Sequence, residues 1–128
     1  MEITQSEAQG SVPVTIFHID GAFNADEPLA TMVKAAVAGG ARNILLDLTG
    51  VTYISSAGLR VLHTTYTLLR DASETQSAVS QGLREGSYYS PHLKLLKPSK
   101  MAKEVLQMSG YDMFLESFTD QKKAVDSF

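Results

Sequence analysis

The chain has 128 residues, enough for one domain with a buried core. Its 44% apolar and 20% charged residues are ordinary for a globular protein, and a net charge of -3 with mixed signs leaves no basic footprint for nucleic acid. With no cysteine there is no disulfide framework, thiol nucleophile or Cys-ligated zinc, which is compatible with a reducing cytosol. The first residues, "MEITQSEAQG", lack the basic start and apolar middle of a signal peptide. No apolar stretch approaches the roughly 18 residues that span a bilayer, so one soluble cytoplasmic domain is expected.

In chain order, strands are expected at residues 2–8 and 13–19. In "PVTIFHI", Val14, Ile16 and His18 alternate with Thr15, Phe17 and Ile19, and Gly21 is expected to break the strand. "NADEP" offers Asn24 or Asp26 as a helix cap, with Pro28 in the first turn. Leu29, Met32, Val33, Ala36 and Val37 then repeat at helical spacing from about 26 to 38, and the glycines at 39–40 end the helix. "NILLDL" is nearly continuous in Ile44, Leu45, Leu46 and Leu48, as in a strand covered on both faces.

From Ala57 onward, Leu59, Leu62, Tyr66 and Leu69 mark one face of a second helix, with Arg60, His63, Thr64 and Thr67 opposite. Residues 72–91 are polar and Gly-punctuated, and read as a surface insertion, partly an extension of that helix. "HLKLLK" (92–97) is the next strand. Ser99 opens a third helix over about 100–108, with Val105 and Met108 inward and Gly110 at its end. "MFLESF" (113–118) reads as a short strand, and Thr119 or Asp120 can cap a last helix. Helices between strands imply βαβ connections, hence an α/β fold: a mixed sheet of four or five strands covered by about four helices, in one domain over 1–128.

The standard phosphate loops and the G-x-S-x-G elbow are absent, and the three histidines (His18, His63 and His92) stand far apart in sequence without a metal-ligand pattern. Neither a metal nor a cofactor is expected, nor an enzyme. A triad of Ser56, Asp47 and one histidine is disfavoured because His18 lies in a strand pattern and His63 a turn or more past the serine. At the joint "ISSAG", one of Ser55 and Ser56 is expected to cap the second helix. The helix start would also favour a phosphate on Ser56, through its unpaired amides and the positive end of its dipole. Ala57 and Gly58 would let a partner's backbone approach; close helix–sheet packing is the other reading of Gly58. Asp47 interrupts an apolar run, either as a solvated strand end or as support for the serine loop.

"ILLDLTGVTYISSAGLRVL" (44–62) resembles the signature of STAS domains of the anti-sigma factor antagonist type. "FHIDGAFNA" (17–25) and "GYDMFLESFTDQKKAV" (110–125) resemble that family's early strand end and its close. The resemblance implies a non-enzymatic antagonist that binds an anti-sigma factor, itself a serine kinase, and is switched by phosphorylation at Ser56 and reset by a phosphatase. Ser55 stands where the family commonly has an acid and is itself a minor candidate acceptor; Ala57 stands at a serine and Asn24 at an aspartate. The partner surface would comprise Asn24, Ser55, Ser56, Ala57, Gly58, Arg60, His63, Thr64 and Thr67, with Asp47 supporting it, in a monomer or weak homodimer. The alternative is an unphosphorylated adaptor or scaffold subunit of a stressosome-like or lipid-transport complex.

Overall fold

The structure, a computed structural model, describes residues 1–25, 27–73 and 90–128. Five strands, β1 (Glu2–Gln9), β2 (Pro13–Phe23), β3 (Ile44–Ile54), β4 (Leu93–Leu96) and β5 (Ser117–Phe118), form one sheet in the order β1-β2-β3-β4-β5. β1 is antiparallel to β2 and the remaining neighbours are parallel. Among the described residues there are four α-helices: α1 (Glu27–Ala38), α2 (Ser56–Ser73), α3 (Lys100–Ser109) and α4 (Gln121–Asp126). None of these is long and apolar enough to cross a membrane.

Each parallel crossover advances one strand in the same direction. Right-handed connections then place α1, α2 and α3 on one face of the sheet. Leu29 and Val33 of α1, Val61, Leu62 and Leu69 of α2, and Ala102 and Leu106 of α3 share one core with Phe17, Ile19, Ile44, Leu46, Leu48, Leu93 and Leu95. The alternate strand residues Val14, Ile16, Leu45 and Leu96 face the other way, against Ala124 and Val125 of α4. The apolar run of β3 is thus covered on both sides, as its composition predicts.

β2 does not stop at Gly21. That residue adopts φ +86°, and the register with β3 shifts between His18 and Asp20 and again between Gly21 and Ala22. Glycine accepts the left-handed conformation, so the strand kinks and resumes to Phe23 instead of ending. β3 lengthens with it, Phe23 pairing with Ile54. This extension carries the end of β3 to the start of α2.

The glycines at 39–40 do end α1: Gly40 (φ +109°) donates to Val37 O, and the amide of Ala41 reaches back to Ala36 O, in the Schellman pattern. The capping position Asp26 and residues 74–89, most of the expected insertion, lie outside the described residues. Two expectations at the C-terminal end are corrected. Met108 is 88% exposed; the buried seam of α3 is Ala102 and Leu106, with Val105 beside it. Met108, two residues past Leu106 at 3.6 residues per turn, points away. The stretch 113–118 is mostly not a strand: a 3-10 turn over Tyr111–Met113 takes its first residue, and Phe114 packs on Tyr111 and Tyr66. Only Ser117 and Phe118 pair with β4.

Candidate functional site

Parallel pairing of β2 and β3 brings both strand ends to one edge of the sheet, where β3 turns into α2. Ser55 is the N-cap of α2. Its Oγ accepts from the Gly58 amide (3.4 Å), and its carbonyl takes the first helical bond, from Leu59 N–H (2.9 Å). Its own amide (3.0 Å) and hydroxyl (3.3 Å) both donate to the carbonyl of Phe23. One carbonyl at the end of β2 therefore anchors the start of α2 and sets Asn24, the next residue and exposed, beside the joint.

Gly58 belongs to that anchor. It is buried, and a Cβ there would run into the Phe23 carbonyl oxygen and lie 2.9 Å from Ile54 Cγ2. Of its two readings the structure carries close helix–sheet packing. Gly58 thus sits beneath the surface it was expected to form.

Ser56, first residue of α2, is exposed, as are Arg60, His63 and Thr64; Ser55, Ala57 and Thr67 are half-buried. Ser56, Arg60, His63 and Thr67 stand at i, i+4, i+7 and i+11, one stripe along the helix. The Thr64 hydroxyl beside it is turned back to Arg60 O (3.0 Å). No acidic side chain occupies the first turn of α2, so the positive end of the helix dipole at Ser56 is not offset there. Tyr53, 43% exposed two residues before Ser55, extends the surface onto β3. Sequence alone does not mark it, because an aromatic residue in a strand is as readily a core residue.

Asp47 does not belong to this group. It lies seven residues before the end of β3, opposite His18 of β2. Its Oδ1 accepts from the Thr49 amide (3.0 Å) and hydroxyl, and its Oδ2 from His18 Nδ1 (2.7 Å). Burial pushes its carboxyl up, but the bonds from Thr49 and His18 outweigh burial and hold it below the ordinary aspartate value. The histidines are dispersed: His18 is on the sheet, His63 on the α2 stripe, and His92 against Asn43 Oδ1 (3.1 Å). Among the described residues no three metal-ligating side chains gather.

The joint holds an exposed hydroxyl at a helix start, a second hydroxyl committed to capping, and a mixed polar stripe leading away. That arrangement can receive a phosphate at the helix start and leaves a polar helix face exposed beside it.

The model of the STAS domain matches residues 5–80 of the chain. No curated protein sequence matches it. A candidate anti-sigma factor antagonist from Thermotoga maritima is similar in structure, with TM-score 0.66 and 16% identity over 97% of this chain and 92% of that one. SpoIIAA, an anti-sigma factor antagonist in its unphosphorylated form, gives 0.63 and 13% over 95% and 92%. An anti-sigma factor antagonist from Mycobacterium paratuberculosis gives 0.65 and 16% over 97% and 92%. At these identities the likeness establishes the fold.

Proposed function

The chain belongs to the STAS domain family, and from that membership we propose that it is a non-enzymatic regulatory module, an anti-sigma factor antagonist switched by phosphorylation of Ser56. The partner would be an anti-sigma factor that is also a serine kinase, with a phosphatase to reverse the modification. The observation that carries this reading is the division of labour between the two serines. Ser55 caps the helix and is tied to Phe23, which leaves the exposed Ser56 hydroxyl at the first helical position.

A phosphate on Ser56 gains from the helix dipole on the order of 1 kcal/mol, so the fold tolerates it. The surface changes by about two negative charges. A partner seated on Ser56, Arg60 and His63, with Asn24 at its edge, meets that change directly.

The test pairs phosphorylation with binding. Incubated with the anti-sigma kinase of its own organism and ATP, the chain takes phosphate at Ser56, and Ser56→Ala abolishes the modification. Ser56→Asp loses the kinase while Ser56→Ala retains it. Phosphate found only at other positions, Ser55 included, overturns the assignment. Equal binding by both variants points instead to an unswitched adaptor.

A further inference from the structure

A second polar arrangement crosses the opposite face of the sheet. The alternate residues that pack on α4 (Ala8 of β1, Val14 and Ile16 of β2, Leu45 of β3) share their face with Ser6, His18 and Asp47 farther along the same strands. His18 lies opposite Thr4 of β1 and Asp47 of β3, and Ser6 lies opposite Ile16. Ser6 therefore meets His18 diagonally, within ordinary cross-strand reach.

The atoms join in a fixed order. Ser6 Oγ is 3.0 Å from His18 Nε2, and His18 Nδ1 is 2.7 Å from Asp47 Oδ2. Thr49 occupies the other carboxylate oxygen with its amide and its hydroxyl. An ionised carboxylate only accepts, so His18 must donate from Nδ1. In the neutral ring this leaves the Nε2 lone pair facing Ser6, whose O–H is then the donor. Nucleophile, base and orienting acid thus stand in the order that activates a serine. Ser6 is exposed, while the His18 and Asp47 side chains are 32% and 16% exposed. The base and the acid are sheltered and the hydroxyl is accessible.

We propose that Ser6 is an activated nucleophile that accepts an acyl group from small activated esters. Its Oγ forms a bond to the ester carbonyl carbon as its proton passes to His18 Nε2. The adduct collapses with cleavage of the bond to the leaving oxygen, and the proton follows to that oxygen or to solvent. The products are an acylated Ser6 and the free alcohol. What the sheet builds is the nucleophile with its base, on an open strand face, which selects donors whose leaving group departs readily. His18 is the base and Asp47 a positioning residue. Ser56 has no part in the step.

The alternative is a polar cross-strand ladder that only holds β1 to β2, and p-nitrophenyl acetate separates the two. Acetyl groups on serine are located by peptide mass spectrometry after a limited reaction of the full chain. Ser6 should acetylate on the order of a hundredfold faster than the exposed Ser11, the lower range of what a positioned base contributes. The preference should vanish in urea, fall to the Ser11 rate in His18→Gln, fall part of the way in Asp47→Asn, and persist in Ser56→Ala. Circular dichroism of each variant checks that the fold is retained. Equal rates at Ser6 and Ser11 in the folded wild type overturn the proposal, as does a preference that survives in urea or in folded His18→Gln.

Discussion

At Ser55 the hydroxyl accepts from the Gly58 amide and donates to the Phe23 carbonyl. Ser55→Ala is therefore expected to cost about 1 kcal/mol in urea unfolding, the usual loss for a helix cap. Ser56→Ala, at an exposed position, should stay within about 0.5 kcal/mol. That difference lets a binding defect in Ser56 variants be read without a folding defect behind it. Gly58 offers a sharper contrast. Glycine to alanine in a helix ordinarily gains about 1 kcal/mol. Here the new methyl meets the Phe23 carbonyl oxygen, which is backbone and cannot swing aside. Overpacking costs about 1–3 kcal/mol, so Gly58→Ala should lower the urea midpoint despite its better propensity. The pattern "SSAG" made a cap legible, since hydroxyls before a helix have few other uses. It left Gly58 open, because close approach of β2 to α2 joins Phe23 and Gly58, 35 positions apart, and leaves no local mark.

Elements were legible where local chemistry decides them and illegible where a distant partner does. α1 ends at its glycines and α3 begins at Ser99, whose Oγ accepts from the Ala102 amide (3.2 Å). Asp120 likewise caps α4 through the Lys123 amide (3.3 Å). The length of β2 depends instead on pairing beyond a bulge, which a lone Gly21 does not announce. In α3 several phases of a short helix fit its apolar residues, and only the sheet beneath chooses Ala102 and Leu106 over Met108. Leu106→Ala should accordingly cost about 2–5 kcal/mol, and Met108→Lys should stay within about 0.5 kcal/mol. Chemical denaturation of the two variants side by side checks the phase. A large loss in Met108→Lys and none in Leu106→Ala would reverse it.

Across the whole molecule, alternation of strands and helices was enough to reach a mixed α/β sheet, because a doubly covered strand flanked by helices leaves few other topologies. Register across the sheet was not readable: nothing local aligns Ser6, His18 and Asp47, which meet only once β1, β2 and β3 are paired. The same long-range packing sets the response to acid. His92 is half-buried just before β4, against Asn43, and burial, with the positive Arg42 nearby, lowers its pKa from the ordinary 6.5. The unfolded chain then binds more protons than the folded one as the pH falls through that value, so stability is lost. Asp47 acts in a lower window. Its folded carboxyl lies below the ordinary aspartate value of 3.8, so its contribution is complete at neutral pH and disappears as the pH falls from there through the folded value. Urea midpoints measured from pH 7.5 to 5 should therefore decline in the wild type and decline less in His92→Gln, while the carboxyl removed in Asp47→Asn titrates below that range. That variant's own effect should be a lower midpoint at neutral pH that converges on the wild type only in strong acid. A wild-type midpoint as steep with glutamine at position 92 would place the acid response at another group.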